Sequence, residues 1–269
     1  MSASDFRTQE AHGFRYIDEG DASSKPPVFL LHGMLGDLSN WDQTVHFLIS
    51  KGYRVVAPEL PVYNLPLRET NVQGLVSHAR EFAEAIELPP AVVTGNSLGG
   101  QVALFYTLQF PDSVASLVLS GASGIYEQRM GTSTLRRKDR SFIRERAAVT
   151  FYDDELVTDE LVEEMYALVN SRPKALRLIK MARSSKRDSV TDRLDEIYQP
   201  ALLIWGRDDE ITPPDVAREF QQRLPNAELH FLEKCGHAPM MERPSAFNRL
   251  MKDFLERLTQ PNRSFASGT

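Results

Sequence analysis

Cysteine is nearly absent from this 269-residue chain. Only Cys235 is present, which excludes an intramolecular disulfide framework and fits a reducing compartment. Long apolar runs are missing too: stretches such as Val28-Phe29-Leu30-Leu31 fall far short of the roughly 20 residues a membrane-spanning helix needs. Residues 1–10 are polar and lack the apolar stretch of a secretory signal, so a cytoplasmic location is expected. Nor is there an excess of positive charge. Lys and Arg number 31 against 37 Asp and Glu, a formal net charge of −6 that argues against a global electrostatic grip on nucleic acid or anionic membrane. No internal repeat or low-complexity tract appears, and the small, polar tail 264–269 is expected to fray. What remains is the balance of an ordinary globular protein, 42% hydrophobic and 25% charged, in a length that suits one large domain or a core with an insertion. At this size roughly three-quarters of the unfolded surface can be buried, so a core needs neither metal nor disulfide.

Short β-branched apolar runs alternate with helical patterns. Strands are expected at 14–18 (after a His12-Gly13 turn), 28–31, 53–57, 91–94 and 114–119, with helices starting at 39–40 and spanning 72–88 and 98–110. This alternation implies an α/β fold, a mostly parallel central β-sheet flanked by helices. The rhythm stops across 125–198, where only helical patterns occur, at 135–150, 155–169, 174–183 and 190–198. It resumes with strands at 201–205 and 228–232 and helices at 214–224 and 245–258. Charge changes with it: 125–198 carries 15 basic and 14 acidic residues, the remainder 16 and 23. The division expected is a core of 1–124 and 199–269 with a helical insertion at 125–198.

Gly95-Asn96-Ser97-Leu98-Gly99-Gly100 follows the strand at 91–94 and opens the next helix. A G-x-S-x-G match alone is weak, but between strand and helix each part has a task. Glycines flanking a sharp turn avoid Cβ clashes, and the serine hydroxyl is held at the carboxyl edge of the sheet above a helix N-terminus that favours negative charge. The plain alternative is a serine N-cap after a Gly-rich turn. A serine needs a base to act as a nucleophile. Of six histidines, His46, His78 and His230 fall inside expected helices or strands, whereas His237 lies in the loop after the last strand, at the sheet end where Ser97 sits. The acid is to be found among Asp208, Asp209 and Glu210, in the loop after the strand at 201–205.

Together these motifs resemble the α/β-hydrolase fold superfamily, from about Phe14 to Leu258. The order Ser97, Asp209, His237 matches its nucleophile–acid–base order. In that family the acid stands three residues after the strand-ending glycine, which from Gly206 gives Asp209. His32-Gly33-Met34-Leu35-Gly36 is similar to the oxyanion-loop signature of esterases. The resemblance implies an oxyanion hole from the backbone N–H groups of Met34 and Leu98, with His32 a structural histidine, and makes 125–198 a cap (lid) over the site. Serine at 97 argues against haloalkane dehalogenases and epoxide hydrolases, which use Asp there. The run Glu59-Leu60-Pro61-Val62-Tyr63-Asn64 departs from the family's Asp-x-x-Gly-x-Gly. Carbon–carbon-bond hydrolases of meta-cleavage pathways share the Gly-Asn-Ser elbow but carry a Gly-rich oxyanion loop and an aromatic residue after the base, where this chain has Met34-Leu35 and Ala238.

The expectation is therefore a cofactor-independent serine hydrolase of carboxylic esters, acting through an acyl-enzyme. The alternatives are carbon–carbon or lactone hydrolysis by the same triad, and a non-catalytic receptor or scaffold. The implied partner is a small-molecule ester or related acyl compound, without nucleic acid or membrane insertion; no Cys/His cluster suggests a metal, and Cys235 reads as a small buried residue. The basic run at 136–146 reads as a solvated helix face rather than as a steering surface for a carboxylate. Met130, Met165 and Met181 read as ordinary packing in the insertion.

Overall fold

The computed structural model describes residues 6–21, 25–127 and 136–259, so Met130, Leu135 and the 264–269 tail lie outside the described residues. Eight strands form one sheet in the order β1-β2-β4-β3-β5-β6-β7-β8. They are β1 (Gln9–Ala11), β2 (Phe14–Glu19), β3 (Val28–Leu31), β4 (Val55–Pro58), β5 (Ala91–Asn96), β6 (Val114–Ser120), β7 (Ala201–Gly206) and β8 (Ala227–Leu232). β1 and β2 pair antiparallel at one edge, and β4 to β8 run parallel with β3. β3, β4, β5 and β7 are buried at every position, as expected of strands covered on both faces.

Alternation along each strand feeds two cores. Phe29, Leu31, Val93, Leu203 and Trp205 face α2 (Val72–Ala85), α3 (Leu98–Gln109) and α7 (Pro214–Arg223). Val28, Leu30, Val92, Leu202 and Ile204 face α1 (Asp42–Ser50) and α9 (Pro244–Thr259). The period of 2 sends neighbours to opposite faces, so six short parallel strands hold two layers of helix.

The segment between β6 and β7 contains α4 (Arg140–Ala148), α5 (Asp159–Asn170), α6 (Arg172–Arg187) and a 3₁₀ turn at Thr191–Glu196, and no strand among the described residues. α4 starts later than the expected 135, because Asp139 caps it by accepting from the N–H groups of Ser141 and Phe142. The stretch at 190–198 winds as 3₁₀ rather than α-helix. β4 starts at Val55 rather than at 53, since Gly52 turns with φ +73° and the Tyr53 N–H is taken by the Leu48 carbonyl at the end of α1. β1 and the four-residue α8 (Pro239–Glu242) had no counterpart in the sequence pattern.

Candidate active site

Ser97 occupies the one-residue turn between β5 and α3, with φ +55° and ψ −121°. This conformation is costly for a residue with a Cβ and persists only where the surroundings enforce it. They do so here by close approach: a Cβ on Gly95 would strike the Gly99 carbonyl, and one on Gly99 the carbonyls of Leu31 and His32. Main-chain bonds complete the turn, Ser97 N–H donating to Ser120 O at 3.1 Å and Ser123 N–H to Ser97 O at 3.0 Å. The half-buried Ser97 hydroxyl thus sits at the carboxyl edge of the sheet, directly before a helix whose first N–H groups lack intrahelical partners.

Asp209 and His237 stand on the loops after β7 and β8. Both are buried, and His237 Nδ1 lies 2.9 Å from Asp209 Oδ2 and 3.1 Å from Oδ1. The carboxylate is anchored: Oδ1 accepts from the N–H groups of Ile211 and Thr212, and Oδ2 from the Thr212 hydroxyl, each at 2.9 Å. Of the three acidic candidates, Asp209 meets the imidazole, while Asp208 accepts from the Cys235 N–H. Burial lowers the His237 pKa, but the charge and hydrogen bond of Asp209, with Glu127 and Glu242 beyond, outweigh it and raise the value above 6.5. Asn96 ties the serine turn to the histidine loop, its Nδ2 donating to both Ser120 O and His237 O at 2.9 Å. Ser97 and His237 line the same cavity.

The loop after β3 forms the facing wall. Gly33 lies against Ser97, with room for a Cβ only at 3.2 Å from the serine Cβ. His32 braces this loop: its Nε2 accepts the Leu60 N–H at 2.8 Å and its Nδ1 meets Gly33 O at 2.9 Å. The Tyr63 hydroxyl donates to the Met34 carbonyl. The run 59–64, the sequence's departure from the family pattern, therefore supplies two supports for the loop, one to the His32 ring and one to the Met34 carbonyl. The structural role of His32 was expected, but its Leu60 partner and the Tyr63 bond join segments distant in sequence that no local pattern links. Apolar side chains of Met34, Leu35, Leu161, Met165, Met240 and Met241 surround the cavity, and its described lining holds no Lys or Arg.

Three of the six basic residues at 136–146 pair with carboxylates: Arg136 with Asp139, Arg140 with Glu163 and Arg144 with Asp159. Cys235 is buried, and its thiol pKa is pushed up by burial. No helix among the described residues is long and apolar enough to cross a membrane, and they contain no group of three or more His, Cys, Asp or Glu able to hold a metal.

Comparison with known proteins matches residues 26–244 to the alpha/beta hydrolase fold family. The chain is 29% identical to the 2-hydroxy-6-oxo-6-phenylhexa-2,4-dienoate hydrolase of Burkholderia cepacia, covering 89% of this chain and 91% of that protein. It is 31% identical to a 2-hydroxy-6-oxononadienedioate/2-hydroxy-6-oxononatrienedioate hydrolase of Dechloromonas aromatica, covering 90% and 94%. Among solved structures, MGS-MChE2, an alpha/beta hydrolase enzyme from a lagoon-sediment metagenome (Mar Chica, Morocco), is 32% identical with a TM-score of 0.77, over 93% and 98% of the two chains. The meta-cleavage product hydrolase CumD of Pseudomonas fluorescens IP01 is 26% identical with a TM-score of 0.77, over 93% and 97%.

Proposed function

The chain belongs to the alpha/beta hydrolase family, and from that premise we propose that it is a serine hydrolase of carboxylic esters with an apolar acyl group. The observation that carries this reading is His237, paired with the buried Asp209, lining an apolar cavity together with Ser97. In the proposed reaction Ser97 Oγ attacks the ester carbonyl as His237 takes its proton. The N–H groups of Met34 and Leu98 hold the oxyanion; such a donor is typically worth about 10²–10³ in rate. His237 then protonates the departing alcohol, and the acyl-enzyme is hydrolysed by a water that His237 activates. Asp209 fixes the imidazole tautomer and stabilises its cation. The helices between β6 and β7 act as a cap, since Ala147, Thr150, Phe151, Leu161 and Met165 from that segment line the cavity beside Ser97. Neither cofactor nor metal takes part in this scheme.

A second reading is favoured by the relatives named as dienoate hydrolases: cleavage of a carbon–carbon bond in a vinylogous keto acid by the same three residues. Against it stand Met34-Leu35 in place of a Gly-rich loop and Ala238 after the base. A panel of aryl esters of increasing acyl length, run beside a lactone and a meta-cleavage product, separates the two. Ester turnover with a clear length optimum is expected. Fast loss of the coloured dienoate with slow ester turnover would replace this reading by the second. Ser97→Ala and His237→Ala should each lower kcat by on the order of 10⁶-fold, no less than the double variant does. Failure of a fluorophosphonate to label Ser97 in folded protein would favour a non-catalytic role.

A further inference from the structure

The chain leaving α4 runs flush against the loop that carries His237. The His237 N–H donates to Thr150 O at 2.8 Å. On either side of it, the Gly236 N–H lies 3.0 Å from both carboxylate oxygens of Glu242, and the Ala238 N–H donates to Glu242 Oε1 at 3.2 Å. The Tyr152 N–H, from the inserted segment, reaches Oε2 of the same carboxylate at 2.8 Å. The approach is close enough that a Cβ on Gly236 would come within 2.8 Å of Thr150 O and 2.9 Å of Tyr152 N. Glu242 is buried, and among the described residues its carboxylate takes hydrogen bonds from three main-chain N–H groups, none of which is the base's own.

We propose that Glu242 is a positioning residue for His237, gripping the peptides on both sides of the imidazole and registering the inserted segment against them through Tyr152. This rests on His237 as the base. Both carboxylate oxygens act as acceptors, which an amide cannot match: Gln offers one oxygen and turns an NH₂ donor toward a donor. The clamp also sets the cavity wall, because Thr150 and Phe151, the residues just before Tyr152, line it beside Ser97. Its charge reaches the imidazole as well. The groups acting on His237 are Asp209, Glu127 and Glu242, all of which raise its pKa. Arg243 donates to the Glu242 main-chain carbonyl, and Glu242, Arg243, Asp209 and Asp208 all act on the neighbouring Cys235 thiol.

The test compares Glu242→Gln, Glu242→Asp and His237→Ala in the full chain, with fluorophosphonate labelling to count competent sites. For Glu242→Gln, kcat is expected to fall by about 10²-fold, the scale of a slightly misplaced catalytic group, with a much smaller change in KM. The acid limb of its kcat/KM profile should move to lower pH, because removing a negative charge lowers the pKa of the base. Glu242→Asp keeps the charge but shortens the reach, so kcat falls while the acid limb stays. A merely structural role would lower Tm without moving that limb. Wild-type kcat and acid limb in Glu242→Gln, with His237→Ala inactive, overturn the proposal; full activity in His237→Ala overturns the underlying assignment of the base instead. Should Glu242→Gln fail to fold, wild-type kcat in Glu242→Asp is the overturning result.

Discussion

At position 32 an imidazole serves as a strut. Its Nε2 accepts from Leu60 and its Nδ1 faces Gly33 O, a pair of bonds that only the neutral Nδ1–H tautomer can make. Burial holds its pKa below 6.5, against the opposing pull of Gly33, Asp37 and Glu59. His78, beside Phe14 and bonded to the Glu59 backbone, is lowered by burial to about 4. For both, the unfolded chain binds protons first as pH falls. Their contribution to stability is thus whole above 6.5 and is lost progressively as pH drops, in the case of His78 towards about 4. His237 has the opposite sign: its raised pKa contributes fully below 6.5 and fades as pH climbs through the folded value. Thermal melts between these limits should show Tm falling with acid, and His78→Leu should flatten that slope. An unaltered slope in the variant would refute the assignment. Single residues were legible unevenly. Ser97 stood out through a local turn motif and His237 through its place after the last strand, whereas place alone left Asp208, Asp209 and Glu210 open and only the family resemblance singled out Asp209. Tyr63 reaches the distant Met34 carbonyl, and Glu242 joins the nearby Gly236 and Ala238 N–H groups to that of Tyr152, 90 residues away, which no local pattern encodes.

Among the elements, α3 is buried along almost its whole length, yet it carries Gln101 in its interior. The side-chain amide donates to Ser185 O at 2.9 Å and Asp188 O at 2.7 Å, and accepts from the Ser185 hydroxyl at 2.6 Å. It thereby joins the helix behind the serine turn to the end of α6. Gln101→Leu leaves these groups unpaired, at about 1–3 kcal/mol for each buried donor or acceptor so stranded. Its Tm should drop by several degrees in calorimetry, and a wild-type melt would show the joint to be dispensable. The helices and strands that the sequence announced are those with a continuous apolar run or a 3.6-residue stripe. β1, three residues with Gln9 and Glu10 exposed, has neither, and α8 at four residues is too short to show a period. The 3₁₀ winding at Thr191–Glu196 is a short connector whose apolar spacing mimics a helix.

For the whole molecule, the repeating strand–helix units sufficed to indicate a parallel sheet with an insertion, because each unit buries its own apolar residues against the next. Pocket composition was not legible, since its lining comes from the turns after β3, β5, β7 and β8, from the short α8 and from the inserted segment. The insertion also packs its own small cluster, centred on Ile143, Ala147, Val157 and Val162, against two far larger cores around the sheet. Less buried apolar area implies a lower local opening free energy. Hydrogen exchange followed by mass spectrometry should therefore find the amides of α4 and α5 exchanging before those of β3, β5 and β6; the reverse order would contradict this ranking. The pairing of Thr150 and Tyr152 with the histidine loop has a last consequence, for protein engineering. A chimera that borrows its roof from a relative must place the seam outside residues 149–153, leaving that stretch with the host. A splice cut through it would exchange one covering for another and, in the same stroke, unfasten the imidazole beneath.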